Sequence, residues 1–104
     1  MKFDISVMIF SNSWTPWGDT DGCLSLAREP SVGDLIEPLC SHPILRTSLG
    51  EGAFFVTHVI DPIQDGGNRR ILCEYIVAKS AQAADDAALA LERDFGFTCI
   101  PYEW

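Results

Sequence analysis

The sequence predicts an α+β fold in which an antiparallel sheet of four or five strands carries one C-terminal helix packed on a face. Three observations favour this fold. Apolar residues alternate at the start of the chain, two β-rich segments flank a turn-forming loop, and an alanine-rich amphipathic stretch lies near the end. The chain has 104 residues, so we expect a single domain spanning 1–104.

The N-terminal segment alternates apolar and polar residues, which predicts a first strand with one buried face. The expected buried residues are Phe3, Ile5, Val7 and Ile9. Segment 11–22 follows and is rich in Ser, Asn, Pro, Gly and Asp, which predicts a loop. This segment contains Trp14 and Trp17. We favour the interpretation that they plug the edge of the core over the alternative that they are exposed binding anchors.

Segment 23–28 predicts a second, shorter strand. Segment 31–39 has two interpretations: Ser31 and Asp34 could form a capping box that starts a short helix, or Gly33 and Asp34 could make a tight bend. A helix would give the order βαββαβ of a ferredoxin-like fold, and a bend would give a more barrel-like sheet. Two prolines exclude a long helix, and we favour the barrel-like sheet.

Segments 53–61 and 69–79 are rich in β-branched and aromatic residues and predict a hairpin joined by the loop 62–68. Apolar residues fall on both faces of both strands. This pattern predicts that the hairpin is covered on both sides and holds a central place in the sheet. His58 shares its face with apolar neighbours, so we expect a core residue rather than a catalyst. His42 precedes a proline and is expected in an exposed loop.

The stretch 81–95 has apolar residues at spacings of four, three and four, which predicts an amphipathic helix. Ser80 is placed to cap its start and Gly96 its end. The expected buried stripe is Ala84, Ala88, Leu91 and Phe95. Segment 97–101 then predicts an edge strand, a place in a sheet where proline is tolerated.

The formal net charge is −8, from 15 acidic residues against 7 Lys and Arg, without an acidic tail or a basic patch. Because non-specific affinity for nucleic acid comes from Lys and Arg, we expect no direct nucleic-acid binding. The four cysteines lack the close spacing of zinc ligands, and Asp19 and Asp21 lack the further acids of a calcium loop. We therefore expect no metal and no cofactor. We also expect reduced thiols in a cytoplasmic protein with no signal peptide and no membrane span.

No stretch carries a catalytic motif, so we expect a protein that is not an enzyme. Small acidic domains can occupy a basic groove meant for nucleic acid, as nuclease inhibitors, immunity proteins and anti-defence proteins such as anti-CRISPR proteins do. This analogy rests on charge and size. The predicted function is therefore an inhibitor that binds a basic surface of a protein partner. The expected contact residues are Asp19, Asp21, Asp85, Asp86, Leu89, Glu92, Asp94, Trp14 and Trp17.

Two alternative functions stay open at this point. One is a small enzyme or ligand-binding domain with a pocket near Trp14 and Trp17. The other is a structural subunit of a larger assembly, in which a neighbour buries Trp14, Trp17 and Trp104. The sequence does not indicate the oligomeric state.

Overall fold

The structure is a computed structural model of the chain and describes residues 1–62 and 66–102. The elements of the described residues, in chain order, are β1 (Lys2–Asn12), β2 (Thr15–Ser25), α1 (Glu37–Cys40), α2 (Pro43–Leu49), β3 (Val56–Ile60), β4 (Arg69–Cys73), β5 (Ile76–Val77), α3 (Ala81–Phe95) and β6 (Thr98–Pro101).

The six strands form one open sheet in the order β3-β4-β1-β2-β6, and β5 also pairs with β1. Three pairs are antiparallel, β1 with β2, β2 with β6, and β3 with β4. Strands β4 and β5 run parallel to β1, one after the other along its length. The α+β class and the antiparallel-rich sheet are confirmed, but the described sheet has six strands rather than four or five, and two of its strand pairs are parallel. The barrel-like sheet is wrong because the sheet is open, and two strands precede the first helix, so the order also differs from βαββαβ.

The core lies between the sheet and the three helices, on the side of the sheet that we call the core face. Alternate residues of β1, from Phe3 to Ile9, are at most 4% exposed, which confirms the predicted alternation. Residues of all three helices pack with them in one cluster of buried apolar side chains, among them Leu39, Leu45 and Leu91. β1 is therefore the strand around which the core is built.

The predicted loop over 11–22 is wrong, because most of it belongs to β2, which also includes the start of the predicted strand 23–28. Gly18 and Gly22 lie on the core face, opposite buried residues of β1. A Cβ at Gly18 would lie 2.3 Å from the backbone oxygen of Ile100. A Cβ at Gly22 would lie 2.0 Å from the ring of Phe97. Glycine is needed at both positions because β6 and Phe97, the residue just before it, pack directly against β2.

The predicted hairpin is confirmed as the antiparallel pair of β3 and β4, but its central place is wrong. β3 lies at the edge of the sheet, and β1 occupies the centre. Part of the predicted loop 62–68 falls outside the described residues. The segment 69–79 does not form one strand, because the chain leaves the sheet between Cys73 and Ile76. Its two parts both pair with β1.

His58 is exposed, so its predicted core position is wrong. A bulge between Val56 and His58 shifts the register of β3 against β4. The extra residue inverts the alternation, so that His58 and Ile60 turn away from the core while Val59 packs against it. One face of the hairpin is therefore open, contrary to the predicted cover on both sides.

Segment 31–36 is a bend with a single β-bridge from Leu35 to Phe55. A carboxylate oxygen of Asp34 accepts a hydrogen bond of 2.9 Å from the backbone nitrogen of Ser31 and stabilises the turn. The short helices α1 and α2 follow, each with a proline in its first turn. The exclusion of one long helix is confirmed, and neither interpretation of 31–39 holds over its whole length.

Helix α3 has the predicted bounds and the predicted caps. The hydroxyl of Ser80 accepts a hydrogen bond of 3.0 Å from the backbone nitrogen of Ala83, and Gly96 ends the helix with a φ of 70°. Its predicted stripe is buried, with Phe95 half-buried. β6 is an edge strand beside β2, as predicted, and Trp104 lies outside the described residues.

Candidate protein-binding surfaces

Four of the predicted contact residues lie together on the outer side of α3. They are Asp85, Asp86, Leu89 and Glu92, all exposed, and we call this surface the acidic helix face. Spacings of three and four residues place them side by side on a helix. Leu89 is 62% exposed and lies between the carboxylates. The acidic helix face thus combines negative charge with an apolar centre.

The carboxylates of the acidic helix face form no ion pair with another described residue. Asp86 accepts a hydrogen bond of 2.9 Å from the side-chain amide of Gln82, which leaves its charge in place. Arg93 is the one base on α3, and its Nε and Nη2 donate to Asp94. The negative charge of the face is therefore not neutralised within the described part of the chain.

The two predicted tryptophans have different environments. Trp17 is half-buried against the core, at an irregularity in the pairing of β2 with β1. Its indole Nε1 donates a hydrogen bond of 2.8 Å to Oδ1 of Asp85, so it lies beside the acidic helix face and plugs the core edge as predicted. Trp14 is 90% exposed in the β1–β2 turn, so the plug interpretation is wrong for it. The side chain of Asn12 accepts hydrogen bonds from the backbone of this turn and shapes it.

Asp94 points toward helix α2 and away from the acidic helix face. Its Oδ2 lies 2.7 Å from Nε2 of His42 at the start of α2, and Nε2 donates because a carboxylate only accepts. Hydrogen bonds from Arg93 and His42 hold the pKa of Asp94 down at about 2. The side chain of His42 is only 17% exposed, contrary to the predicted exposed loop, because its ring also packs edge-on against Phe95. Its Nδ1 is buried and has no hydrogen-bond partner among the described residues.

Asp19 and Asp21 lie on the side of the sheet opposite the acidic helix face. In β2 they flank Thr20, which is fully buried on the core face. Oδ1 of Asp21 accepts a hydrogen bond of 2.5 Å from the hydroxyl of Ser6. A hydrogen bond to Asp19 raises the pKa of the Tyr102 hydroxyl. The nine predicted contact residues therefore do not form one surface.

The side of the sheet turned away from the core carries no helix in the part of the chain that the structure describes. We call it the open sheet face. Strand register aligns a row of side chains across it, in the order His58, Leu72, Ser6, Asp21 and Thr98. A shallow groove of about 460 Å³ lies along this row and is also lined by Met8 and Asp19. Sequence reasoning missed this face because the hairpin was predicted to be covered on both sides and most of β2 was predicted to be a loop.

Groups that could take part in catalysis are dispersed. Within residues 1–62 and 66–102, no three His, Cys, Asp or Glu side chains are grouped so that they could hold a metal ion. All four cysteines are free thiols. Burial raises the pKa of Cys73 to about 12, and burial is also the main cause of a raised pKa at Cys40 and Cys99. These three thiols are poor nucleophiles, because the thiolate is the reactive form.

Two neighbouring depressions lie near α1, away from both tryptophans. One has a volume of about 360 Å³ and the other about 400 Å³, and they share Leu35, Glu37 and Ser41. Neither is lined by Trp14 or Trp17. They therefore give no support to a ligand pocket at the tryptophans.

Comparisons with protein-family models, with curated proteins and with solved structures give no match for the chain. Among the described residues, none of the helices has the length and apolar character needed to span a membrane.

Proposed function

We propose that the protein is a non-catalytic binding protein that docks on a basic surface of a protein partner. Its favoured form is an inhibitor that occupies the nucleic-acid-handling surface of that partner. The observation that supports this proposal is the acidic helix face, where three carboxylates without an ion pair surround a Leu89 side chain that is 62% exposed. The net charge of the whole chain, −8, has the same sign.

A protein surface that binds phosphates presents Lys and Arg side chains. Carboxylates are the side chains that a guanidinium group binds with two parallel hydrogen bonds. Asp86 and Glu92 offer such acceptors on an exposed helix, and complementary charge raises the association rate and excludes partners of the wrong sign. Leu89 would supply the apolar contact that the centre of a protein interface usually contains.

The acidic helix face is also held in place before any partner binds. Helix α3 is capped at both ends by Ser80 and Gly96. Asp85 is tied to the sheet through its hydrogen bond with Trp17. A surface that is already ordered loses little conformational entropy on binding, so more of the contact free energy contributes to affinity.

The test is an affinity capture that compares two charge-changed variants with the wild type. The binding variant is Asp86→Lys combined with Glu92→Lys, on the acidic helix face. The control combines Glu51→Lys with Glu74→Lys, which changes the net charge equally at exposed positions outside α3. Glu51 pairs with Arg46 at the surface, and such exposed pairs contribute little stability. Each protein is immobilised and incubated with an extract of the cells that make it. The bound proteins are then eluted with rising salt.

We expect the wild type and the control to retain the same basic, nucleic-acid-handling protein and to release it in a narrow salt step. The helix variant should not retain it. Retention by the helix variant would exclude the acidic helix face as the docking surface. A folded wild-type protein that retains no protein partner would contradict the proposed function itself and favour a small-molecule ligand.

A further inference from the structure

The open sheet face exposes apolar side chains from several strands. Ile100 is 59% exposed, Ile60 41%, Val77 39% and Met8 37%. Singly exposed apolar residues are common on protein surfaces. These four, however, lie on the same side of one sheet, since each pairs in register with a residue that points away from the core. They form a discontinuous apolar surface, interrupted by Asp19 between Met8 and Ile100, without a partner in the described part of the chain.

The aromatic pair Phe10 and Tyr75 extends this apolar surface at one end of β1. Their ring centroids lie 5.2 Å apart, and Tyr75 is 59% exposed. Exposed apolar residues grouped on one face of a sheet are typical of a contact surface for a second molecule.

Charge distinguishes the open sheet face from the rest of the protein. Strand register places Lys2, Asp4, Asp19, Asp21 and Arg70 on it. These three carboxylates and two cations sum to −1, against −8 for the whole chain. It is the nearly neutral, mixed-charge and apolar side of a strongly acidic protein. A strongly basic partner would find a better match on the acidic helix face.

We propose that the open sheet face binds the same face of a second copy of this chain, forming a symmetric dimer. A two-fold axis in the plane of the face brings one patch onto itself, and a patch that holds both signs of charge can match its own copy. Pairing through this face buries the exposed apolar side chains of both copies. It also turns the two strongly acidic sides away from each other, which limits charge repulsion between the copies.

The size of the face predicts a weak dimer. Five strands about 4.8 Å apart make the face roughly 20 Å wide, and its length runs from roughly 17 Å along the five-residue strands β3 and β4 to roughly 37 Å along the eleven-residue strands β1 and β2. Stable complexes bury about 800 Å² per partner, more than such an outline supplies. We therefore expect a dissociation constant in the range of about 10 to about 100 µM.

Dimerisation would also affect partner binding. The helices lie on the core face of each copy, so the dimer would present two acidic helix faces on opposite outer sides. A partner with two basic sites, or two partners, could then be held at once with a higher effective affinity. This consequence rests on the proposed function, whereas the dimer itself does not.

The experiment is sedimentation velocity of the full chain from about 1 to about 500 µM. It compares the wild type with Met8→Lys on the open sheet face and with Leu89→Lys on the acidic helix face. The two variants make the same type of change at exposed apolar positions on opposite sides of the molecule. Ile100→Lys is a second variant of the open sheet face at a more exposed position, in case Met8→Lys does not fold. Circular dichroism checks that each protein is folded.

We expect the wild type and Leu89→Lys to move from the monomer mass of 11.5 kDa toward twice that mass as concentration rises. Met8→Lys and Ile100→Lys should stay monomeric throughout. A wild type that is monomeric at the highest concentration would overturn the proposal, and so would equal weakening by Met8→Lys and Leu89→Lys. A monomeric wild type that binds another protein in a Met8-dependent way would assign the face to that protein instead. None of these outcomes bears on the helix variants that test the proposed function.

Discussion

The indole Nε1 of Trp17 lies 2.8 Å from Oδ1 of Asp85 and donates a hydrogen bond to it. This bond joins strand β2 to helix α3 across 68 positions of the chain. Asp85 belongs to the acidic helix face, so the same contact that closes one edge of the core also orients a carboxylate of the proposed docking surface. The stability of the fold and the geometry of this face are therefore linked at Trp17.

Replacement of Trp17 by Phe tests this link. The variant keeps an aromatic ring but loses the indole donor, so we expect a loss of about 1 kcal/mol in the free energy of unfolding. The measurement is urea unfolding followed by circular dichroism. Trp14→Phe is the matched control, since Trp14 is 90% exposed and should tolerate the same change. Equal destabilisation by the two variants would contradict a structural role for the hydrogen bond.

Gly22→Ala tests the close packing of strand β2 against Phe97. The new Cβ would lie 2.0 Å from the ring of Phe97, so the ring or the strand must move. We expect a loss of about 1–3 kcal/mol in the free energy of unfolding, as for other overpacked cores. Gly52→Ala is the control, because a Cβ there meets no atom within 4 Å. A Gly22→Ala protein as stable as the Gly52→Ala protein would show that the close packing described at β2 is wrong.

The contact of Asp94 with Arg93 and His42 predicts a dependence of stability on pH. The pKa of Asp94 is lowered from its usual 3.8 to about 2, so the folded state resists protonation of this carboxyl more than the unfolded state does. The stability that the charged Asp94 carboxylate contributes is complete above its usual pKa of 3.8 and is lost as the pH falls from there to about 2. Asp94→Asn should therefore reduce the fall in stability between about pH 4 and pH 2.

Thermal unfolding at a series of acidic pH values measures this effect. Asp86→Asn serves as the control on the same helix, since Asp86 forms no ion pair with another described residue. It should follow the wild-type profile. An Asp94→Asn profile that runs parallel to the wild type throughout the window would argue against the contribution of this contact.

The four thiols are predicted to react at very different rates. Cys23 is exposed, whereas burial raises the pKa of Cys73 to about 12. We expect Ellman's reagent to modify Cys23 rapidly in the folded protein and Cys73 only after unfolding. Cys23→Ser should abolish the fast phase, and Cys73→Ser should leave it unchanged. A fast phase that survives in Cys23→Ser would contradict this assignment.

Phe54 and Tyr75, two aromatic residues of the predicted hairpin, should differ strongly in their contribution to stability. Phe54 is fully buried, so Phe54→Ala is expected to cost about 3–5 kcal/mol in the free energy of unfolding. Tyr75 is 59% exposed and contacts Phe10. Tyr75→Ala should cost about 0.5–1.5 kcal/mol, the range for an aromatic pair. Similar losses for the two variants, measured by guanidinium unfolding, would contradict the exposed position of Tyr75.

Sequence periodicity predicted the elements whose buried residues are apolar. The alternation from Phe3 to Ile9 predicted β1, and the spacing of buried residues with Ser80 and Gly96 predicted α3 and its bounds. In β2 the core-facing positions include Gly18, Thr20 and Gly22. Close packing against Ile100 and Phe97 leaves no room for a Cβ at Gly18 or Gly22, so the usual apolar signal is missing and the segment resembles a loop. Propensity also could not reveal the bulge after Val56 that turns His58 outward.

The acidic helix face was partly predictable, because residues on one helix have a fixed spacing. Asp85, Asp86, Leu89 and Glu92 could be grouped before the fold was known. Asp19 and Asp21 lie away from the acidic helix face because β2 pairs with β1. This pairing could not be predicted, since the segment that forms β2 was predicted to be a loop. The hydrogen bond between His42 and Asp94 likewise depends on the packing of α2 against α3.

Docking through the acidic helix face is tested most directly by the association rate of the purified partner with the protein at increasing ionic strength. The wild type and the Glu51→Lys/Glu74→Lys control should associate rapidly at low salt and slow down as salt is added. Asp86→Lys/Glu92→Lys should associate at least about tenfold more slowly and lose most of this salt dependence. An association rate and salt dependence for the helix variant equal to those of the control would contradict docking through the acidic helix face.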